Sequence, residues 1–293
     1  MGPSEAPSGI IGLVIRRISI ELSNLLAWRK LPVSRRDLVL DVGSGDNPHI
    51  RADVLCDAAA RSASERRGSF DLIVDGRPFL YTDARRIPVK DKAFDFVICR
   101  HVLEHMEEPE VLLKELMRVG KAGYIETPSA LMERLYGWDF HVLLVESSDE
   151  GLLIRRKLAD EQYGILPQSI KKSAVWEKLY YTFEDTLAAC YFWEDRIDYR
   201  IDDTDGDRHR YRKAQEFVFE DRVELPAPAL RRRMRWWITR SMRFFISAPR
   251  WNMGEVLACP SCGSDFSVGD KSASCTGCAK EVTILRGNFF KFI

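Results

Sequence analysis

The stretch Leu38-Val39-Leu40-Asp41-Val42-Gly43-Ser44-Gly45-Asp46-Asn47-Pro48 joins a β-favouring run to a glycine turn. Its first five residues are apolar except Asp41, and the run halts at two glycines. That pattern predicts a short buried strand feeding a loop. In open α/β sheets ligands settle in the crevice beyond the carboxyl ends of the strands, and glycine there lets a ligand approach the backbone. A dinucleotide fingerprint would put its third glycine at position 48, which is Pro48, and would not place an acid such as Asp41 ahead of the glycines. Pyrophosphate binding is therefore disfavoured.

Outward from this loop, strand-like runs recur at Asp53–Cys56, Leu72–Val74, Phe79–Tyr81, Phe94–Cys99 and Tyr124–Glu126. Between the last two, Leu112, Leu113, Leu116 and Met117 fall at helical spacing behind Pro109, a residue suited to a first turn, which predicts a helix over Pro109–Val119. This order of strands and helix is that of an open, twisted α/β sheet with helices on both faces. Upstream, apolar residues from Ile10 to Trp28 trace one face of an amphipathic helix ended by Pro32, after a flexible leader over residues 1–9. Downstream, a hairpin (His141–Val145 with Leu152–Ile154), a polar helical stretch to about Ala189 and a strand over Asp195–Ile201 are expected. The chain thus divides into 1–35 (leader and helix), 36–225 (the α/β domain with a helical insertion), 226–252 (a basic, aromatic linker helix) and 253–293 (a cysteine module).

A length of 293 residues with 45% hydrophobic content allows a sizeable core and excludes simple disorder. Basic and acidic side chains balance at 44 each, which argues against a protein that coats nucleic acid over its whole surface. The balance hides one local excess, because residues 226–252 carry seven arginines, five aromatics and no acid. At roughly 100° per residue, Leu230, Met234, Trp237, Ile238, Phe244 and Phe245 gather on one side of a helix and Arg231, Arg232, Arg235 and Arg243 on the other. Such a helix either packs its apolar side on the domain with the arginines solvated, or lies in the headgroup region of an anionic membrane. No apolar run reaches the roughly 20 residues that cross a bilayer, and the start lacks a signal-peptide layout. The expected location is cytoplasmic, with peripheral contact to an anionic membrane as the alternative.

The segment Leu40–Gly45 resembles the first motif of class I S-adenosylmethionine-dependent methyltransferases, and later segments follow in that family's order over roughly residues 38–130. The resemblance implies a Rossmann-like fold and S-adenosylmethionine as cofactor, held by Asp41, Gly43, Ser44 and Gly45. It implies further that Asp57 grips the ribose hydroxyls and that Asp83 and Ala84, within Thr82–Pro88, meet the adenine, Asp83 accepting from its exocyclic amine. Phe94–His105 resembles the fourth strand and post-strand motif, which brings Arg100 beside the cofactor, and Gly123–Pro128 resembles the fifth strand. One departure is that only 16 residues separate Asp41 from Asp57, too few for a full loop, helix and strand, so the first helix is truncated and Asp53 is an alternative ribose acid. A base is needed only if the acceptor loses a proton; His101 is the first candidate and Glu126 the second. The acceptor is unidentified, and a lipid-linked or envelope saccharide is expected if the membrane reading holds. A non-catalytic cofactor-binding scaffold and an RNA methyltransferase are the alternatives.

His101-Val102-Leu103-Glu104-His105 also fits H-x-x-E-H, in which two helical histidines bind zinc and the glutamate is the base. That chemistry needs a helix and a third protein ligand. Here the histidines follow a strand, so the pattern lacks its context, and His105 is expected to pack or to cap the next helix.

Four of the seven cysteines form two Cys-x-x-Cys pairs, Cys259 with Cys262 and Cys275 with Cys278, which suits metal binding in a reducing compartment better than disulfides. Two thiolate knuckles can close a tetrahedral zinc site with no open position, a structural role. The tail Glu281–Phe290 resembles the small zinc-ribbon activator proteins that partner methyltransferases, here in cis. Few basic side chains in 253–293 speak against a nucleic-acid ribbon. Breaking the site, for example by Cys275→Ser, is expected to loosen the ribbon and leave the sheet largely intact.

Overall fold

The computed structural model describes residues 31–58, 72–171, 173, 175, 176, 179, 183, 187–202, 211, 213, 240–285 and 288–292. The helix expected over Ile10–Trp28 and the greater part of the one expected from Leu230 lie outside these residues. The strands in chain order are β1 Val39–Val42, β2 Val54–Asp57, β3 Phe79–Tyr81, β4 Phe94–Arg100, β5 Gly120–Pro128, β6 Leu143–Ser148, β7 Gly151–Arg156, β8 Ala188–Glu194, β9 Tyr199–Asp202, β10 Phe266–Val268, β11 Ser272–Cys275, β12 Glu281–Leu285 and β13 Phe289–Lys291.

Among the described residues, one sheet runs β10-β11-β12-β13-β3-β2-β1-β4-β5-β8, and a smaller one runs β6-β7-β9. The central strands β3, β2, β1, β4 and β5 are parallel, and β8 closes the edge antiparallel to β5. Strands β1, β2 and β3 are buried at every position, as expected of parallel strands covered on both faces. Alternate residues serve the two faces. Leu40, Val42, Val97 and Cys99 meet Leu112, Leu113 and Leu116 of the helix Pro109–Val119, whereas Val39, Leu55, Phe96 and Ile98 join Leu31, Leu72 and Phe289 on the opposite side. Gly123 is required where β8 crosses, because a Cβ there would lie 2.5 Å from the Val97 carbonyl and 2.7 Å from the Trp193 ring.

The helix Pro109–Val119 and strands β1, β3 and β4 lie where the pattern of residues places them. Other elements differ. Leu72–Val74 is not a strand, since both edges of β2 are already paired; instead the Ile73 N–H donates to the Gly45 carbonyl at 3.1 Å and Leu72 is buried. Ala188 and Ala189 begin β8 rather than end a helix, paired with Pro128 and Thr127. The strand expected over Asp195–Ile201 is confined to Tyr199–Asp202 because Asp195 turns the chain at φ 56°, and it pairs with β7 in the smaller sheet. The expected hairpin is present as β6 and β7.

The cysteine module continues the main sheet. Strand β13 pairs parallel to β3, and Phe289 stacks on Phe79 and Tyr81 at centroid distances of 5.1 and 5.7 Å. The Lys90 N–H donates to Val256 and the Ala258 N–H to Pro88, while Val256, Cys259, Cys275 and Ile284 share the core of the α/β region.

Residues 240–246 are helical, and their sidedness reverses the expected one. Arg243 turns inward, donating to the carboxylate of Asp53 at 2.8 Å and to the Ala52 carbonyl, whereas Phe244 and Phe245 are each 71% exposed. The buried Asp53, 3% exposed, draws the guanidinium in. Among the described residues no helix is long and apolar enough to cross a membrane.

Candidate functional site

Strand register brings the motif residues to one edge. Val42 pairs with Cys56 and Cys99, Asp57 with Tyr81, and Arg100 with Glu126, so the parallel strands β1 to β5 end together. At or just beyond these ends stand Gly43, Ser44 and Gly45, then Asp57, then Asp83 and Ala84, and then Arg100, His101 and Glu126. Asp53 is at the opposite end of β2, where it accepts from Val39 N–H, Arg51, Arg243 and Ser247. Of the two ribose-acid candidates only Asp57 reaches this edge.

The loop is tied down by its own backbone. Gly43 and Ser44 N–H donate to the Cys56 carbonyl at 2.8 and 3.2 Å, and Gly45 N–H to the Asp57 carboxylate at 2.8 Å. Gly43 has φ 74°, and a Cβ there would fall 2.1 Å from Val102 Cγ2. What its bareness admits is the Val102 methyl, which was not legible from the motif. Asp41 is 1% exposed and accepts from His49 N–H at 2.7 Å, so it shapes the loop from within; burial lifts its pKa above the ordinary value, against the pull of Arg100. Ser44 Oγ and Arg100 Nε are buried with no hydrogen-bond partner, two orphaned polar atoms at the edge where a polar ligand would satisfy them. Asp83 is held by Arg85 at 2.6 to 3.0 Å, and Ala84 packs on the core.

His101 adopts φ 55° and its N–H donates to the Glu126 carbonyl at 2.8 Å, which aims its ring back between two carboxylates. Nδ1 lies 3.4 Å from Glu104 and Nε2 3.5 Å from Glu126. Although 54% of the side chain is open, enough protein surrounds the ring for desolvation to oppose its charge; the two carboxylates outweigh this and push its pKa up to about 10. Burial works to raise Glu104 and Glu126, but His101 brings both down to about 2, helped by Arg100 for Glu126. At neutral pH this is a cation between two anions, so the ring offers a proton rather than a lone pair. Tyr124 donates its hydroxyl to Glu126 at 2.6 Å, a partner the sequence reading missed.

The four thiols of the cysteine module meet at one point, with Sγ atoms of Cys259 and Cys278 3.6 Å apart and those of Cys262 and Cys275 3.4 Å apart.

Residues 40–125 match the protein-family model described as "Methyltransferase domain". No curated protein matches the chain. Similar solved structures include an S-adenosylmethionine-dependent methyltransferase of Thermotoga maritima, 23% identical over 41% of this chain and 58% of that one, with a TM-score of 0.28. A complex of the Haloferax volcanii Trm112 methyltransferase activator with a protein described as a methyltransferase is 15% identical over 63% of this chain and 95% of that one, with a TM-score of 0.38. The Pyrococcus horikoshii protein PH0226 is 20% identical over 47% and 69%, with a TM-score of 0.30. The chain thus spans little more than half the length of the Thermotoga protein. The region from β1 to β5, with its loops gathered at the carboxyl edge, has the Rossmann-like methyltransferase fold.

Proposed function

We propose that this chain transfers methyl groups from S-adenosylmethionine to an acceptor. The observation that carries the reading is the convergence of the glycine loop, Asp57 and the Thr82–Ala84 segment on one sheet edge, inside the stretch that matches a methyltransferase family. S-adenosylmethionine, when bound, supplies an electrophilic methyl group on a sulfonium. Gly43 and Gly45 keep the loop backbone bare, Ser44 and Arg100 offer unsatisfied polar atoms, and Asp57 and Asp83 offer carboxylate oxygens to hydroxyls and an amine. His101 and Glu126 stand at the ends of β4 and β5, where an acceptor would be oriented and water excluded.

Calorimetry should show saturable binding of S-adenosylmethionine and of its demethylated product. Asp57→Asn retains an acceptor for Gly45 N–H but loses the charge, and weakens binding by about tenfold or more, equivalent to ~1.4 kcal/mol. Gly43→Val abolishes it, since Val102 leaves no room for the side chain. Wild-type affinity in both variants would remove the site. Transfer of labelled methyl to an extract split into RNA, protein, lipid and soluble pools names the acceptor class, and cofactor binding with no transfer to any pool favours a scaffold.

We also infer one structural zinc on Cys259, Cys262, Cys275 and Cys278. A tetrahedron with Zn–S bonds of about 2.3 Å has edges of about 3.8 Å, close to the observed sulfur separations.

A peripheral membrane contact draws support from Phe244 and Phe245, neighbouring aromatics that point outward beside an arginine-rich stretch. Co-sedimentation with liposomes should require anionic lipid, weaken with salt and drop for the Phe244→Glu, Phe245→Glu pair. Equal binding to neutral liposomes, or none to either, rejects the contact.

A further inference from the structure

Beside the proposed acceptor position, three side chains from two separate segments come together. The turn Leu103–His105 supplies Glu104 and His105, and the segment entering β6 supplies His141. A main-chain hydrogen bond from Val142 N–H to the Glu104 carbonyl at 2.8 Å fixes the two segments against each other. One nitrogen of each histidine and one Glu104 oxygen lie within 4.8 Å of one another.

The hydrogen bonds around these rings decide which nitrogens face the cluster. His105 Nδ1 sits 3.3 Å from the Phe140 carbonyl, which can only accept, so Nδ1 carries the proton. His141 Nδ1 contacts the carboxylate of Glu133, itself fully buried and paired with Lys157, and donates there. Both rings are thereby left with Nε2 as a lone-pair donor. This is the outer arrangement that metal-binding histidines require, the far N–H being given to a carbonyl or a carboxylate to fix tautomer and orientation. Between them, Glu104 is 1% exposed and neither of its oxygens has a hydrogen-bond partner. His101 Nδ1 stands 3.4 Å from one of these oxygens, too long for a good hydrogen bond, and the other oxygen is left to a further cation.

We propose that Glu104, His105 Nε2 and His141 Nε2 form a binding site for a divalent transition metal of the zinc class. One ring nitrogen of each histidine and one Glu104 oxygen, no more than 4.8 Å apart, share a point within about 2.8 Å of each, so small shifts that present the Nε2 atoms bring the three side chains to the ~2.0–2.2 Å of zinc–nitrogen and zinc–oxygen bonds. Two imidazoles and one carboxylate leave a position open, unlike the four-thiolate cluster. The site departs from H-x-x-E-H: His101 is outside the turn, Glu104 is a ligand rather than a base, and the third ligand comes from about 36 residues downstream.

The test counts metals on the full-length chain. Dialysis against zinc, followed by elemental analysis, should find two ions per chain in the wild type and one in Glu104→Gln, His105→Gln or His141→Gln. Cobalt in place of zinc gives the two sites different spectra, a thiolate charge-transfer band for the cysteines and a weaker band without it for the nitrogen and oxygen site. Each variant should keep the thiolate band, which certifies a folded ribbon, and lose the other; circular dichroism checks the sheet. If the wild type takes up metal only with the thiolate signature, or if all three variants retain the second ion, the site does not exist and the charge of His101 alone offsets Glu104. Absence of the thiolate band would count against the cysteine site and leave this count intact.

Discussion

Cys275→Ser lowers the melting temperature of the whole chain. Cys275 is 5% exposed, ends β11 and packs in the core that also holds β1 and β4, and β11 connects through β12 and β13 to β3 within one sheet. Metal binding contributes about 10–16 kcal/mol to isolated zinc-finger modules, against a net stability of about 5–15 kcal/mol for a typical domain. Losing even ~5 kcal/mol of this moves the midpoint by about 10–20 °C in a protein of this size class. Calorimetry paired with elemental analysis measures both quantities. A variant that loses the proposed zinc yet melts like the wild type would show that the ribbon hangs free of the sheet, in line with the expectation from the sequence that the sheet stays largely intact.

Lys157→Met costs about 3–5 kcal/mol, because it leaves Glu133 buried without its cation. Both side chains of this pair are completely buried; Lys157 also donates to the Trp138 carbonyl at 3.1 Å, and Glu133 holds His141. Adding Glu133→Gln to that variant removes the stranded charge and keeps an acceptor for His141, so the double variant should recover most of the loss. Urea denaturation of the two variants checks this. A single variant within about 1 kcal/mol of the wild type would mean the pair is solvated.

The residues legible in the sequence are those whose partners are near in the chain or whose burial is two-sided. The run Leu38–Val42, the glycine loop after it and the helix Pro109–Val119 follow from local apolar pattern and turn chemistry, and parallel order then places Asp57, Asp83 and Arg100 at one edge. What stayed hidden depends on contacts made at a distance. Ala188 and Ala189 read like the end of a helix and instead begin a strand, because β5 offers a free edge and Gly123 admits Trp193. The inward turn of Arg243 answers the buried charge of Asp53, 190 residues earlier. His141 looked like the start of a hairpin, and only its hydrogen-bonded neighbour Val142 brings it to Glu104.

The pairing of β13 with β3 also sets a timetable for the ribosome. Phe79–Tyr81 emerges about 210 residues before Phe289–Lys291, an interval of roughly 10–40 s at ordinary elongation rates. Throughout it the flank of β3 is a bare strand edge lined by Phe79 and Tyr81, the kind of template that recruits foreign strands. That flank stays open to foreign strands until Phe289–Lys291 is made, and a product that stops before β13 keeps every motif of the proposed site and has an edge that never closes.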